Sequence, residues 1–334
     1  MSIRNVWSGG VAALALVGAA LTATPSASAS TLVGDGADDC TPQAASATRV
    51  AEGTSIGSDP NSLSGRQVAA REAALSEQLA KQGLSRSSQP RLDDGSQKIP
   101  TYVHVIRKRD GTGNTTNHSV KRQLRVLNRS FRGDTSTQSI NTPFRFRIKS
   151  IDRTNNTDWF RWSIDPNTAD GDDGAEAKPA LHQGGFRALN LYVANLKGGV
   201  LGYATFPTGN DSKLPLDGIV LTKESLPGGN AAPYNRGDTG THEVGHWLNL
   251  FHTFQGGCDD PGDMVEDTPR QFAGQNVFVC DETLNTCGNN DGSEALRDPV
   301  HNFMNYTDDE CLDRFTFGQE ERMEMAWLAY RKGK

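Results

Sequence analysis

The sequence predicts an α+β protein with a mixed α/β first half and a second half rich in loops and disulfides. Between Lys98 and Leu221, strand-like and helix-like patterns follow one another, which is typical of a sheet covered by helices. After His252 the chain is rich in Gly and Asp, carries four of its five Cys, and has a clear helical pattern only at Gly318 to Arg331. A segment that contains three His, at positions 242, 246 and 252, separates the two halves.

Each element of the first half has its own pattern. The apolar run from Ile99 to Ile106 predicts a strand, and Ser119 to Phe131 places its apolar residues at helical spacing. Phe144 to Ile151 alternates between apolar and polar residues, which predicts a half-buried strand. Leu189 to Leu196 and Gly218 to Leu221 predict two further strands. The glycines and terminal proline of the segment 198–207 favour an exposed edge strand, with a structural loop as the alternative.

The chain begins with the features of an exported precursor. Arg4, an apolar run from Val11 to Leu21 and a Ser/Ala stretch that ends near Ala29 predict a signal peptide over residues 1–29. The alternative, a membrane anchor, needs about 20 apolar residues, more than this run contains. Residues 30–97 have few large apolar side chains and predict a propeptide or linker with one helix, at Ser64 to Gln82. Residues 98–334 are the predicted main domain, in which the motifs described below lie.

The formal net charge of −6 argues against a general nucleic-acid-binding protein. No later segment is long and apolar enough to cross a bilayer. We therefore expect no nucleic-acid or membrane partner, and a secreted monomer, with a dimer left open.

The cysteines fall into two groups. Cys258, Cys280, Cys287 and Cys311 lie within one segment, which in an exported chain predicts two disulfides with three possible pairings. The alternative, a zinc site of four thiolates, lacks the usual spacing of two residues between ligands. Cys40 stands apart in the propeptide. Its thiolate either binds a metal ion of the protein, at a coordination position left open by the other ligands, and so keeps the precursor latent, or Cys40 is an unpaired or intermolecular cysteine.

The most informative motif is H-E-x-x-H with a third His six residues further on. His242 and His246 lie one helical turn apart, so both imidazoles can face one ion, while Glu243 lies beside them. His252 can join them only if the helix stops near Asn249, since a continued helix would carry it roughly 9 Å along the axis. Asn tolerates the left-handed turn that ends helices. Three His ligands and one open position are typical of catalytic zinc; the alternative is a helix with solvated histidines.

A methionine downstream narrows this interpretation. Met304 lies in the segment NFMNY, and a Met-turn after an extended H-E-x-x-H helix is the metzincin arrangement. Four segments carry a family resemblance: HEVGHWLNLFHTF, GGVLGYATFP, the Asp-Thr-Pro at 267–269 and NFMNYTDDEC. Through them, most of residues 98–330 resembles the pappalysin family of secreted zinc metalloproteases. The resemblance implies a twisted, mostly parallel sheet with an antiparallel edge strand, an active-site helix and a backing helix.

The resemblance also implies roles for single residues. His242, His246 and His252 would bind one zinc ion, and Glu243 would be the general base and acid. Met304 would lie beneath the metal, and Tyr306 would approach the zinc or steady the oxyanion. The implied disulfides are Cys258–Cys287 and Cys280–Cys311. Asn249 departs from the motif, where most metzincins have Gly.

Substrate contacts are expected on both sides of the predicted metal. The backbone of the edge strand could add an extended peptide to the sheet, antiparallel or parallel, which makes Gly199, Gly202, Tyr203 and Ala204 candidates. After the Met-turn, a carboxylate of Asp309 or Glu310 would favour Arg or Lys on the carboxyl side of the cleaved bond, the P1′ position. The alternative is a solvated acidic turn.

The oxygen-rich segment 259–268 predicts a structural calcium site, with Asp263, Asp267 and Thr268 as ligands, although it lacks the spacing of an EF-hand. The sequence as a whole thus predicts a secreted, zinc-dependent endopeptidase made as a latent precursor. One rival is a catalytically silent zinc-binding adhesion module, against which the intact Glu243 argues. Another is a zinc amidase for small molecules, against which the edge strand argues.

Overall fold

A computed structural model describes residues 46–52, 63–164, 173–259, 261–288 and 297–332. Within these residues one six-stranded sheet has the order β1-β5-β6-β4-β2-β3. Its strands are β1 (Ser46–Val50), β2 (Gln97–Arg107), β3 (Phe144–Asn155), β4 (Leu189–Ala194), β5 (Val200–Thr205) and β6 (Ile219–Thr222). The strands β3, β2, β4 and β6 pair in parallel, whereas β5 is antiparallel to β6. The predicted mixed sheet with an antiparallel strand is therefore confirmed.

The predicted edge strand is not an exposed edge here. β1 pairs antiparallel with β5 along its length, and all six residues of β5 are buried. The sequence pattern did not reveal this partner, because β1 lies about 150 residues earlier, in a segment without clear alternation. The open backbone of β5 is thus covered by a strand from the predicted propeptide.

Six helices accompany the sheet in the described part of the chain. They are α1 (Gly65–Ala80), α2 (Asn117–Phe131), α3 (Thr157–Phe160), α4 (Asp173–Leu181), α5 (Asp238–Trp247) and α6 (Phe317–Tyr330). Ser64 and Gln67 form a capping box at the start of α1, and Thr316 and Gln319 form one at α6. Each hydroxyl satisfies a backbone N–H that has no partner within the helix. The starts predicted for these two helices agree with the structure to within a residue or two.

The sheet has an apolar core on each face. On one face, β2, β4 and β6 pack against α2 and α5 through residues such as Val103, Leu124, Leu191 and Val244. On the other face, Phe160 of α3 and Ala177 of α4 join a second cluster with Tyr192 and Tyr203. The hydroxyl of Tyr203 accepts a hydrogen bond from Trp162 Nε1 at 3.0 Å. The helix α5, which carries the first two His of the motif, therefore lies directly on the sheet. The helix α2 packs beside it on the same face.

The helix α1 packs against α6. Leu75 and Leu79 contact an apolar face formed by Ala326, Ala329 and Tyr330. Beside this contact, the Glu72 carboxylate accepts two hydrogen bonds from Arg322, at 2.6 and 3.2 Å. Because both groups are largely removed from water, removing either partner would leave a poorly solvated charge. The helix of the predicted propeptide is therefore docked on the predicted catalytic domain.

The second half consists mainly of loops tied by disulfides, as predicted. Cys258 pairs with Cys287 and Cys280 pairs with Cys311, which is the pairing that the family resemblance implied. No helix among the described residues is long and apolar enough to span a membrane.

Candidate active site

The helix α5 is held at both ends. At its start, Oδ2 of Asp309 accepts hydrogen bonds from the backbone N–H of Arg236 and Gly237, at 2.8 and 3.0 Å. A carboxylate there also opposes the positive end of the helix dipole. At its end, Asn249 takes φ of 75°, and the N–H of Leu250 donates to the carbonyl oxygen of Gly245 at 2.9 Å. The predicted left-handed stop at Asn249 is therefore present, and it turns the chain toward His252.

The three histidines of the motif converge. Nε2 of His246 lies 3.0 Å from Nε2 of His242 and 3.1 Å from Nε2 of His252. Nδ1 of His242 donates to the carbonyl oxygen of Phe303, and Nδ1 of His246 donates to that of Leu250, each at 2.7 Å. With the protons on Nδ1, the Nε2 atoms of His242 and His246 carry lone pairs only.

This arrangement fits a metal ion. Burial lowers the pKa of His242 well below its usual range, with help from the other two histidines, and burial lowers the pKa of His246 to about 3. Neutral imidazoles are the form that binds metals. Ligands about 2.0–2.1 Å from one tetrahedral zinc ion would lie roughly 3.3 Å apart, close to the observed separations. His242, His246 and His252 could therefore hold one metal ion.

Aromatic rings and a methionine surround this cluster. Phe254 stacks on His252 with ring centres 4.7 Å apart, and Phe206 lies edge-on to His246 at 5.4 Å. Tyr306 is fully buried, with its ring 4.9 Å from that of His252. Met304 lies so close to Gly245 that a Cβ added there would come within 2.3 Å of its sulfur. Met304 thus packs against α5 at Gly245, and the imidazoles have little room to reorient.

The side chain of Glu243 faces the strands β1 and β5. Its Oε1 accepts a hydrogen bond from the backbone N–H of Arg49 at 3.1 Å. The strand β5 passes directly over this side chain, since a Cβ on Gly202 would lie 3.0 Å from Cγ of Glu243 and 3.0 Å from Thr239. Glycine at 202 therefore allows the close approach of β5 to the motif helix.

A pocket beside Glu243 binds the side chain of Arg49. The guanidinium donates to Oδ1 of Asp309 at 2.8 Å, to the hydroxyl of Thr239 at 3.1 Å and to the carbonyl oxygen of Thr307 at 2.7 Å. The ring of Tyr234 lies 5.2 Å from the guanidinium carbon. Both members of the ion pair have fully buried side chains. The pocket thus matches an arginine in charge and in hydrogen-bond geometry.

Only some of the other candidate substrate-contact residues lie at the cleft. The backbone of Gly202, Tyr203 and Ala204 pairs with β1, and the carbonyl oxygen of Gly199 accepts from Ala51 N–H at 3.2 Å. The side chain of Tyr203, however, belongs to the apolar cluster on the opposite face of the sheet. Glu310 is exposed and pairs with Arg236 on the surface at 2.9 Å, away from the Arg49 pocket.

Of the three candidate calcium ligands, two are buried and the third is bonded to the start of α6. Asp263 and Thr268 are buried, and burial raises the pKa of Asp263 to about 8. Oδ2 of Asp263 has no hydrogen-bond partner of ordinary geometry within the described residues. Asp267 instead accepts hydrogen bonds from the Thr316 hydroxyl and the Gly318 N–H at the start of α6, at 2.7 and 2.9 Å. Cys40 lies outside the described residues.

Comparisons with known proteins agree with this geometry. Residues 182–328 match the model of the Peptidase_M43 family, described as pregnancy-associated plasma protein-A. An extracellular metalloprotease of Pyricularia oryzae is 38% identical over 241 residues, which cover 71% of this chain and 77% of the fungal protein. This chain belongs to the Peptidase_M43 family. This peptidase is equally similar, at 38% over 242 residues, to an extracellular metalloprotease of Arthroderma benhamiae, with 70% of this chain and 74% of that protein covered.

Two solved structures are similar in fold to this peptidase. Mature mirolysin of Tannerella forsythia in complex with a cleaved peptide has a TM-score of 0.56 and 26% identity, and the match covers 73% of this chain and 97% of that one. A promirolysin mutant from the same organism has a TM-score of 0.59 and 25% identity, with 80% and 89% covered. This member of the pappalysin family is therefore an extracellular metalloprotease of metzincin-like fold.

Several residues of the site could not be found from the sequence. Arg49 lies in a Ser/Ala-rich segment, and nothing in its surroundings distinguishes it from other arginines. Thr239 and the Thr307 carbonyl contribute one hydrogen bond each, which leaves no sequence pattern. Phe206 is in part an exception, since it follows the glycine-rich strand that already pointed to the site.

Proposed function

We propose that this chain is a zinc-dependent endopeptidase, made as a latent precursor, that prefers Arg or Lys at P1′. The observation that carries the proposal is Arg49, whose backbone N–H bonds to Glu243 while its side chain fills the pocket of Asp309. A peptide that paired with β5 as β1 does would present its own amide nitrogen and side chain to the same two carboxylates.

The residues then have separate roles. His242, His246 and His252 would hold the zinc ion. When bound, zinc supplies Lewis acidity and makes water nucleophilic near neutral pH. Glu243 would accept the proton of the attacking water and deliver it to the leaving amine, where Arg49 N–H now lies. Tyr306 would steady the charge that develops on the carbonyl oxygen, and its replacement by Phe should lower kcat by about 100-fold or more.

Hydrolysis of a denatured protein tests the core of this proposal. Cleavage should stop with a zinc chelator, return with added zinc, and be absent in Glu243→Ala. Glu176→Ala is a matched control because Glu176 is an exposed residue of α4, outside the segment proposed to be released. Normal cleavage by Glu243→Ala would contradict the role of this carboxylate. A wild-type chain that binds zinc but cleaves no protein would instead support the adhesion module or the amidase.

The basic preference at P1′ depends on Asp309. We expect Asp309→Asn to lower kcat/KM for peptides with P1′ Arg by about 100-fold, the scale of a lost charged hydrogen bond. Peptides with P1′ Leu should be affected less. Because Asp309 also binds the start of α5, a thermal melt must show that the variant remains folded. Equal losses for both peptides would contradict the assignment of the pocket.

The precursor would be kept latent by two attachments of the segment 30–97. Support for the first is the pairing of β1 with β5, and support for the second is the docking of α1 on α6. The cut that releases the segment would lie in the linker from Arg86 to Arg91 or somewhat upstream. N-terminal sequencing of the active enzyme tests this boundary, and a mature chain that still contains β1 would contradict it.

Two assignments rest mainly on the sequence. Cys40 would contribute to latency as a zinc-binding thiolate, so Cys40→Ala should be active before maturation; unchanged latency would reject this role. Calcium would bind at the segment of Asp263 and Thr268, whose buried oxygen atoms suit a hard cation. A melting temperature that ignored calcium chelation would argue against that site.

A further inference from the structure

The charge of this chain is distributed very unevenly. From the start of β2 to the end of β3, residues 97–155 contain 13 Lys and Arg against 3 Asp and no Glu, a net of +10 in a chain of net −6. The segment therefore carries 13 of the 34 basic residues of the protein. Such a local excess creates a positive potential that the overall charge conceals.

The fold gathers many of these cations around one groove of about 970 Å³ between α2 and β3. The basic residues that line it include Lys121, Arg125, Arg129 and Arg132 of α2 and its C-terminal cap, and Arg145 and Arg147 of β3. Asp134 is the one carboxylate among the described lining residues. It pairs with Arg132 at 3.1 Å, in an exposed ion pair. The groove thus retains a large uncompensated positive charge.

Several of these cations have no protein partner. In the part of the chain that the structure describes, the exposed side chains of Lys121, Arg125 and Arg147 make no hydrogen bond or ion pair. Arg145 is bonded only to neutral groups, among them the carbonyl oxygens of Thr142 and Phe144. Burial lowers the pKa of Arg145 and the nearby Arg132 lowers it further, while the carboxylates of Asp94 and Asp134 offset part of this effect. The groove therefore offers charges that an external anion could neutralise.

The cations form two rows. Lys121, Arg125 and Arg129 follow one another at every fourth position of α2, which places them roughly 6 Å apart on one face. Arg145 and Arg147 alternate along β3 and so project on one side of the strand, and Lys149 follows at the bulge in the pairing with β2. A row of charges over several turns suits a linear polyanion better than a single small anion.

Protection of the sheet edge explains only part of this pattern. β3 is the edge strand opposite β1, and cations on an edge discourage pairing with other chains. That reason applies to Arg147 and Lys149, but it does not explain the parallel row on the outer face of α2. The two rows together need a different account.

The surroundings favour a polysaccharide. Among the lining residues the only aromatic is Phe146, which is 4% exposed, so no ring is available to stack on nucleic-acid bases. The site is a groove with one partly exposed apolar residue, Ile148, rather than a surface that could insert into lipid. Sulfated or carboxylated polysaccharides are linear polyanions without bases or acyl chains.

We propose that the groove between α2 and β3 binds an anionic polysaccharide outside the cell. In the sheet, β3 is four strands from β5, roughly 19 Å across. A bound chain would therefore leave the candidate active site open, and the enzyme would be held near substrates that share the same matrix. The proposal concerns binding and does not depend on the assigned protease activity.

The test uses the full chain with Glu243→Gln, so that binding is measured without self-cleavage. Binding to heparin, as the probe polysaccharide, is measured over a series of salt concentrations. The variant Arg125→Glu with Arg147→Glu is compared with Arg161→Glu plus Arg187→Glu, which changes the net charge equally at two exposed positions outside the groove. Thermal melts confirm that all proteins are folded.

We expect the groove variant to bind heparin at least about tenfold more weakly than the control pair. Its slope of log affinity against log salt should also be shallower, by about one for each cation that no longer binds the polyanion. Equal affinities for the two variants would overturn the proposal. The proposal would also be overturned if the protein bound duplex DNA, or vesicles of anionic lipid, more tightly than heparin and the groove variant weakened that binding. The groove would then serve another partner.

Discussion

Arg49 offers the sharpest test of how β1 closes the candidate active site in the proposed precursor. In Arg49→Ala the cleft should lose the ion pair to Asp309 and the hydrogen bonds to Thr239 and Thr307. The backbone pairing of β1 with β5 would remain. The variant therefore removes the side-chain contribution to closure without removing the strand.

The expected size follows from burial. Breaking a fully buried ion pair costs roughly 3–5 kcal/mol. The lower end applies here, because Oδ2 of Asp309 keeps its backbone partners Arg236 and Gly237 when Arg49 is gone. About 3 kcal/mol shifts the equilibrium between closed and open cleft by roughly 150-fold. Arg49→Lys keeps the charge but loses the planar fork, so we expect a smaller shift, about tenfold.

The assay is the initial rate of hydrolysis of a fluorogenic peptide by intact precursor. Mass measurement before and after each assay must show that the chain, including its Thr48–Arg49 bond, is uncut. Arg66→Ala is the matched control, since Arg66 is an exposed residue of α1. Repeating the series in Cys40→Ala separates the two contributions to latency, which should multiply if they are independent. An Arg49→Ala precursor whose rate stays within about twofold of wild type would refute this account of closure.

Two further predictions concern stability. Gly245→Ala should lower the free energy of unfolding by about 1–3 kcal/mol and weaken zinc binding, because the added Cβ would come within 2.3 Å of the Met304 sulfur. Thermal melts with and without zinc measure both effects. Gly65→Ala is the control, since its added Cβ would meet nothing within 4 Å. Burial raises the pKa of Glu324 to about 7 from a usual value of 4.5, so its cost to stability is absent below pH 4.5 and complete above pH 7. Glu324→Gln in the Glu243→Gln precursor should therefore raise the melting temperature at pH 8 and leave it nearly unchanged at pH 4. A gain of equal size at both pH values would show that the carboxylate charge is not the cause.

The parts of the site that could be predicted are those fixed by local chemistry. The spacing of His242, Glu243 and His246 follows from one helical turn, and Asn249 marks the stop because few residues tolerate its φ of 75°. The disulfide pairing came only from the family resemblance, since spacing alone left three possibilities.

The parts that could not be predicted depend on distant residues meeting. The pairing of β1 with β5 joins segments far apart in the chain, and Arg49 meets Asp309 across 260 positions. The helix α1 was visible in the sequence, but its partner Arg322 was not. Similarly, the net charge of −6 averaged away the basic groove, which exists because the fold brings α2 beside β3.

The last helix has a consequence for the order in which the enzyme is made. Arg322 donates to the carbonyl oxygen of Asn249, and Arg331 donates to that of Trp247, each at 2.9 Å. The end of α5, and with it the position of His252, is therefore completed by residues that are synthesised 73 and 84 positions later. By that time β1, near the other end of the chain, has long been available to occupy the cleft. Under the proposed latency, the growing polypeptide thus contains the strand that closes the cleft before it contains a finished metal site.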